Sequence, residues 1–271
     1  MLIKKHEKII LISLYIGLII LFSFIDLNFT KLIYNQSSLF GQFFFMFGEL
    51  PGTFVGLACF SILTTSYTND NPTLSDLNRI IFGLITFILS FILSFQMIRY
   101  LKLELFPFIF VGMIISMSLI YHSNQFSDEK KKHIRVYALI GALTMILGIL
   151  VPNLIKIIWA RPRYRIFNGD DILYRAWYIR SGFTFDDNWK SFPSGHSAAA
   201  TISLVYIYLP QLFDKLKGKE RKILIITSIW IVLVMISRVI VGDHFVSDTL
   251  FGTGITLLIF IGLNKLFNVK L

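Results

Sequence analysis

Three polar stretches in the second half of the chain carry the side chains that could do chemistry. The first, Lys156–Tyr164, places three cations, Lys156, Arg161 and Arg163, within eight residues. Cations this close together can clamp an anion such as phosphate, because guanidinium and ammonium groups donate several hydrogen bonds to its oxygens. The alternative interpretation is that they are interfacial side chains that extend to lipid headgroups.

The second stretch, Ser191–Ser197, has the composition of a helix start. Pro193 and Ser194 are typical of a helix cap and first turn, and small residues follow them. The free N–H groups and the positive end of the helix dipole favour a bound phosphate, with Gly195 and His196 beside it. A capped helix with an incidental histidine is the alternative.

The third stretch, Ser237–Asp248, contains Arg238, His244 and Asp248. His244 and Asp248 are four residues apart, so they share one face if this region is helical. A carboxylate bonded to one imidazole nitrogen fixes the tautomer and leaves the other nitrogen free to attack an electrophile. The alternative is a surface ion pair.

The elements that must position these stretches are predicted to be membrane helices. Hydrophobic residues make up 55% of the 271 positions and charged residues only 15%, against roughly 25% in soluble domains. This excludes both a disordered chain and a soluble globular protein. The sequence predicts a single all-α domain, 1–271, built as a polytopic membrane helix bundle of about eight transmembrane helices. The predicted spans are Ile9–Ile25, Phe43–Leu63, Ile80–Ile98, Leu105–Tyr121, Val136–Ile155, Ala198–Phe213, Ile223–Ser237 and Thr249–Leu263.

The distribution of basic residues predicts the orientation. With the N-terminus in the cytoplasm and eight alternating spans, 15 of the 26 lysines and arginines face the cytoplasm, and seven of the others lie in the loop Lys156–Lys190. Cytoplasmic loops carry such an excess. We therefore expect a plasma membrane protein with a retained signal anchor, both termini in the cytoplasm and the three polar stretches outside. The excess of lysine over arginine and the abundance of isoleucine and asparagine favour a bacterial source. The net charge of +10 is then no evidence for nucleic-acid binding.

Taken together, the three stretches contain several cations, a helix N-terminus, two histidines and a carboxylate on one predicted side of the membrane. This set suits phosphoryl transfer, in which catalysis depends on positioning and on stabilising charge at the phosphoryl oxygens. The sequence has neither a carboxylate cluster nor a His-x-x-x-His spacing typical of metal sites. We expect no metal and no other cofactor.

The three stretches resemble the signature motifs of the type 2 phosphatidic acid phosphatase (PAP2) superfamily. In the first motif, a lysine is followed after six residues by an arginine and a proline. Lys156 and Arg163 have this spacing, but Tyr164 replaces the proline, and an Arg-Pro pair occurs instead at Arg161 and Pro162. The second motif, Pro-Ser-Gly-His, is complete at 193–196. The third, Ser-Arg, five residues, His, three residues, Asp, is complete at 237–248.

The resemblance implies a six-helix catalytic core that carries motifs at 156–248, with extra N-terminal helices at roughly 1–78. It also implies a mechanism without metal. His244 is the nucleophile that forms a phosphohistidine, Asp248 orients it, and His196 is the general acid. The residues that it implies for phosphate binding are Lys156, Arg163, Ser194, Gly195 and Arg238, with Arg161 as a possible neighbour.

A lipid phosphate is the expected substrate, because the site lies among membrane helices. The resemblance implies phosphatidic acid, phosphatidylglycerol phosphate, a polyprenyl pyrophosphate or a lipid A phosphate. Alternatives are a water-soluble phosphate ester, transfer of a headgroup to another alcohol, or a transporter or other non-catalytic protein on the same scaffold. Arg175 or Arg180 could meet a second phosphate, and Glu49 is expected to be interfacial or to pair with a cation. The oligomeric state stays open.

Overall fold

The computed structural model describes residues 4–67, 72–101 and 105–270, and these ranges form an all-α structure with no strand. The fold class predicted from the sequence is confirmed. Five short 3₁₀ segments accompany the α-helices, and one of them, Ile202–Tyr208, joins α7 to α8. The α-helices in the described ranges are α1 (Lys5–Ile33), α2 (Leu39–Phe47), α3 (Leu50–Ser66), α4 (Pro72–Leu101), α5 (Leu105–Asn124), α6 (Asp128–Trp159), α7 (Gly195–Thr201), α8 (Leu209–Leu212), α9 (Glu220–Ile240) and α10 (Val246–Leu266).

Six helical stretches in the described chain are long and apolar enough to cross a membrane. Five of them correspond to α1, α4, α6, α9 and α10, and the sixth combines α2 with α3. The other two predicted spans coincide with α5 and with the run from α7 to α8. The membrane character is therefore confirmed, and the count of eight stays a prediction.

The run from α7 to α8 lies inside the bundle, and α7 packs against α3, α6, α9 and α10. α1 lies at the periphery, where it contacts α9 and α10. Its outward apolar side chains are about half exposed or more, as at Ile12 and Leu32, which is the arrangement expected of a helix that faces lipid. The polar stretches are thereby held between the ends of packed helices.

A break between α2 and α3 brings the start of α3 close to α7. Gly48 and Glu49 separate the two helices, and Pro51 occupies the first turn of α3, where its missing N–H does not interrupt the helix. The Gly48 carbonyl oxygen accepts a hydrogen bond from Nε1 of Trp230 at 3.0 Å. This hydrogen bond from Trp230 in α9 holds the backbone at the break in place.

The C-terminus of α6 turns sharply at Ala160, which has a left-handed conformation (φ 52°, ψ 47°). Its N–H donates to the carbonyl oxygen of Lys156, as in helix ends closed by a residue of this conformation. Lys156 therefore lies in the last turn of α6. Arg161 and Arg163 follow in an irregular segment that leaves the helix axis.

The N-terminus of α7 is packed tightly against α10. Ser194 caps α7 by accepting a hydrogen bond from the N–H of Ser197, and its own N–H donates to the carbonyl oxygen of Asp248 at 2.8 Å. A Cβ added at Gly252 would overlap the backbone carbonyl of Ser194. The close approach of the second and third polar stretches therefore requires glycine at position 252.

Replacing Gly252 with alanine should separate α10 from the cap of α7. We expect Gly252→Ala to lower the free energy of unfolding by about 1–3 kcal/mol, the usual cost of overpacking. Thermal unfolding of the purified protein in detergent measures this change. Gly262→Ala, also in α10, is the matched control, because a Cβ there meets no atom within 4 Å. Equal effects of the two variants would contradict the packing argument.

Candidate active site

His244 lies between α9 and α10, buried, with its two ring nitrogens in different surroundings. Nδ1 is 2.7 Å from the backbone carbonyl oxygen of Ser191. A carbonyl oxygen can only accept, so Nδ1 carries the proton and Nε2 keeps its lone pair. Nε2 is buried without a hydrogen-bond partner. Burial, with the charges of Lys156 and Arg163, lowers the pKa of His244 well below its ordinary value against the opposing effect of Asp248. The imidazole is therefore neutral.

Asp248 supports this histidine mainly through Ser191. Its carboxylate accepts hydrogen bonds from the Ser191 hydroxyl at 2.6 Å and from the Phe245 N–H at 2.8 Å. Its distance to Nδ1 of His244 is 3.9 Å, which is too long for a hydrogen bond. Asp248 thus holds Ser191, and the Ser191 carbonyl oxygen in turn orients His244.

Arg161 is fully buried and all of its nitrogens are engaged. Nη1 donates to Asp248 at 2.5 Å and to the Ser247 hydroxyl at 2.8 Å, and Nη2 donates to Asp26 of α1 at 3.1 Å. Nε donates to the carbonyl oxygen of Arg175. Arg161 therefore ties the loop, α1 and α10 together, and its hydrogen bonds commit the guanidinium to these partners.

Arg163 and Arg238 meet at Asp243, the residue that precedes His244. Nη1 of Arg163 is 3.3 Å from the Asp243 carboxylate, and Nη2 of Arg238 donates to the same carboxylate. Nη2 of Arg163 also pairs with the exposed Asp187 at 2.9 Å. Both arginines are therefore held beside His244 by carboxylates.

Lys156 lies against the first turn of α7. Its Nζ would be 3.2 Å from a Cβ built on Gly195, so glycine there lets the ammonium group approach the backbone. The hydroxyl of Ser194 is buried and accepts hydrogen bonds from the N–H and the hydroxyl of Ser197. The structure thus gives Ser194 a capping contact and places Gly195 beside the ammonium group of Lys156.

His196 lies at the start of α7, ahead of the predicted span Ala198–Phe213. Its Nδ1 is 3.4 Å from Oε1 of Glu49. Burial, then the charges of Arg238, His244, Lys156 and Arg163, lowers the pKa of His196 well below its ordinary value. These interactions show that the residues predicted for the site converge in space.

The loop between α6 and α7 is anchored by aromatic and basic side chains. Nε1 of Trp177 donates to the Ser23 hydroxyl of α1, and its ring packs 4.4 Å from that of Phe251 in α10. Arg175 and Arg180 donate to backbone carbonyl groups within the loop or at the end of α6. Their guanidinium groups therefore support the loop fold, and the alternative of a second phosphate contact is not favoured.

Sequence reasoning missed four residues of this site. Nothing in the sequence pattern singles out Ser191, Asp187 or Asp243, because their roles depend on which chain segments meet. Asp26 could have been identified from the sequence, since a carboxylate next to an apolar span is costly and usually functional. Glu49 was expected to be interfacial or to pair with a cation, and the structure places it beside His196.

No group of three or more His, Cys, Asp or Glu residues in the described ranges is arranged to hold a metal ion. The buried charges of the site are instead balanced by ion pairs between arginines and carboxylates. What the arrangement offers chemically is an unpartnered imidazole nitrogen beside fixed cations, with a second histidine nearby.

Comparison with known proteins assigns the class to which this arrangement belongs. Residues 137–270 match the family model of the PAP2 superfamily, so the segment that carries all three polar stretches belongs to that superfamily. This confirms the resemblance seen in the motifs.

A similar protein is phosphatidylglycerophosphatase B of Bacillus subtilis (strain 168), with 42% identity over 72 residues. The aligned part is 26% of this chain and 36% of the relative, so the chain spans about a third of that relative. No solved structure matches.

Removing the Asp26 carboxylate should destabilise the protein, because Arg161 would lose a partner in a fully buried position. We expect Asp26→Asn to lower the free energy of unfolding by about 3 kcal/mol, as for other broken buried ion pairs. Asp76→Asn removes an exposed carboxylate that pairs with Arg79 at 3.2 Å and should cost less than about 1 kcal/mol. Unfolding midpoints of both variants in detergent measure the difference. Equal midpoints would contradict the conclusion that the ion pair of Arg161 with Asp26 stabilises the packing of the loop against α1.

Proposed function

We propose that the protein is a lipid phosphate phosphatase that works through a phosphohistidine at His244. The observation that carries this proposal is the state of His244, whose Nδ1 is committed to the Ser191 carbonyl oxygen while Nε2 has no partner. A neutral imidazole held in this tautomer is a nucleophile, and an oxygen-rich electrophile such as phosphate is attracted by the surrounding cations.

In the first step, Nε2 of His244 attacks phosphorus in line with the leaving alcohol. The new N–P bond forms as the P–O bond to the alcohol breaks, and His196 donates a proton to the departing oxygen. Burial and neighbouring cations disfavour the protonated form of His196 in the free protein. A bound phosphate dianion offsets those cations, so His196 takes up a proton when substrate binds.

In the second step, water attacks the phosphohistidine. His196, now neutral, accepts a proton from this water, the N–P bond breaks, and inorganic phosphate leaves with His244 restored. The phosphoryl oxygens are bound by Arg163, Arg238 and Lys156 together with the N–H of Gly195. Fixed cations thereby stabilise the charge that develops on these oxygens.

The proposed substrate class is a phosphorylated lipid. The residues that the structure describes include six helical stretches long and apolar enough to cross a membrane, and the similar Bacillus subtilis protein is named a phosphatidylglycerophosphatase. The contacts of Asp26 with Arg161 and Ser247 favour a single catalytic domain that includes the N-terminal helices. A water-soluble phosphate ester or transfer to another alcohol would be detected by assaying both kinds of substrate and both acceptors.

Replacing His244 should abolish turnover because no other group takes over the attack. We expect His244→Ala to reduce phosphate release from lipid phosphates to background, and His196→Ala to reduce it by about 10²–10⁴-fold, the usual contribution of general acid–base catalysis. The measurement is phosphate release from a panel of lipid and soluble phosphates, with detection of acid-labile labelled phosphohistidine in the wild type.

The matched control is His133→Ala, because His133 is exposed and its side chain hydrogen-bonds to Gln211, away from the site. Its activity should equal that of the wild type. Undiminished phosphate release by folded His244→Ala would overturn the proposed mechanism and would favour the non-catalytic alternative.

The proposal places the site on the extracytoplasmic face of a bacterial plasma membrane. Its support is the excess of basic residues in the short loops on the opposite side. The single cysteine, Cys59, is buried, so a Cys59→Ala background allows one cysteine to be introduced at a time. Asn168→Cys lies in the loop after α6, and Lys217→Cys lies in the loop before α9.

A membrane-impermeant maleimide should label the two cysteine variants differently in intact cells. Asn168→Cys should react at once, and Lys217→Cys only after the membrane is permeabilised, because the two positions are predicted to face opposite sides. The reverse pattern would invert the proposed topology without affecting the proposed chemistry.

A further inference from the structure

The break between α2 and α3 supplies a carboxylate to the site from outside the family segment 137–270. Glu49 lies at this break, and its Oε1 is 3.4 Å from Nδ1 of His196. Among the described residues, Glu49 is the carboxylate within ion-pair distance of this histidine. It also interacts electrostatically with Arg238 and Lys156. The side chain thus faces the cationic centre, although it comes from the N-terminal half of the chain.

An aromatic ring from the same segment packs on one face of the His196 ring. Phe45, one turn before Glu49, stacks on the His196 ring with centroids 5.5 Å apart and an interplanar angle of 21°. The guanidinium carbon of Arg238 lies 4.9 Å from the centroid of the same phenyl ring. The segment therefore sets both the plane of the imidazole and the partner of its Nδ1.

The backbone at this break is fixed, so the Glu49 contact does not depend on a free loop. Nε1 of Trp230 bonds the Gly48 carbonyl oxygen, and the Tyr206 hydroxyl bonds the Pro51 carbonyl oxygen at 2.8 Å. A Cβ added at Gly52 would overlap the carbonyl of Ala199 in α7. Contacts from α9, α7 and the 3₁₀ segment thus hold Glu49 in register with His196.

The Nδ1 atoms of His196 and His244 have different partners, and this difference affects the protonation of the two rings. A carboxylate at Nδ1 favours the imidazolium, orients the ring and directs Nε2 to the substrate. The Nδ1 of His244 hydrogen-bonds a neutral carbonyl oxygen instead, and the Asp248 carboxylate is farther from it, at 3.9 Å. This arrangement favours the unprotonated nucleophile of the proposed mechanism. Environments that separate two like groups in this way assign one as acid and the other as nucleophile.

We propose that Glu49 is a positioning residue that holds His196 through Nδ1 and stabilises its protonated form while it delivers a proton to the leaving alcohol. The proposal rests on the phosphatase function inferred above. The charged or titratable groups that act on His196 from the surrounding elements are Glu49, Lys156, Arg163, Arg238 and His244. Glu49 is the member of this set that favours the proton on His196.

The test compares substrates whose leaving groups need a proton to different degrees. A lipid alcohol is a poor leaving group without an acid, whereas p-nitrophenol leaves without one. We expect Glu49→Gln to slow phosphorylation of His244 by phosphatidic acid about 10²-fold, at the lower end of general acid catalysis, and by p-nitrophenyl phosphate less than about threefold. Single-turnover rates measure this step, and KM should change little for either substrate.

The pH profile gives a second readout that a structural role would not move. Without the carboxylate the protonated form of His196 is less stable, so its pKa in the substrate complex is lower. The alkaline limb of kcat for the lipid substrate should therefore move to lower pH in Glu49→Gln. Glu49→Asp keeps the charge on a shorter side chain, and it should restore part of the rate and of the alkaline limb.

Two controls separate this role from loss of folding. Glu7→Gln removes a carboxylate that pairs with Arg221 far from the site and should leave both substrates unaffected. Glu49→Gln combined with His196→Ala should be no slower than His196→Ala alone, because the two residues act on one step. If Glu49→Gln does not fold, the same comparison of leaving groups is made with Glu49→Asp.

Equal slowing with both substrates, a change in KM alone, or additive effects in the double variant would overturn the proposal. These outcomes concern Glu49 only. If folded His244→Ala still releases phosphate, the proposed function itself fails, so the two failures are distinguishable in one set of assays.

Discussion

The geometry of the site depends on the burial of one cation, the guanidinium group of Arg161. Removing an ion from water costs several kcal/mol unless good partners replace the water. Asp26 and Asp248 provide the charge, the Ser247 hydroxyl accepts a further hydrogen bond from Nη1, and the carbonyl oxygen of Arg175 accepts one from Nε. Since these partners belong to α1, α10 and the loop after α6, the charge is balanced only when all three segments meet. The same contact places Asp248 where it can hold Ser191.

This constraint explains why three arginines of one region have different tasks. Arg161 donates hydrogen bonds to α1, α10 and the loop after α6, so its task is structural. Arg163, Arg165 and Arg238 share the carboxylate of Asp243, and Asp187 pairs with Arg163 and Arg165. Two carboxylates therefore face three arginines beside His244. Under the proposed function, a phosphate dianion adds negative charge where the protein leaves an excess of cations, so its binding is electrostatically favoured. Asp243 also keeps these like charges close before substrate arrives.

The sequence predicted what depends on local pattern and left open what depends on distant partners. Apolar runs predicted the all-α membrane bundle, and motif spacing predicted the family and the set of residues that converge. Spacing favoured Arg163 over Arg161 as the phosphate ligand, but only the contact of Arg161 with Asp26, 135 residues away, shows why Arg161 is committed elsewhere. The support of His244 by the Ser191 carbonyl oxygen was equally hidden, because a backbone contact leaves no signature in residue types.

The proposed mechanism gives two histidines different roles, and their surroundings differ accordingly. Both are buried near Lys156 and Arg163, and burial together with these cations lowers the pKa of both. The difference lies at Nδ1, where His244 meets a carbonyl oxygen and His196 meets the carboxylate of Glu49. A neutral acceptor fixes a tautomer without favouring a second proton, whereas a carboxylate favours it. In the proposed mechanism, the helix break that places Glu49 beside His196 therefore makes His196 the acid, and the segment that places the Ser191 carbonyl oxygen beside His244 makes His244 the nucleophile.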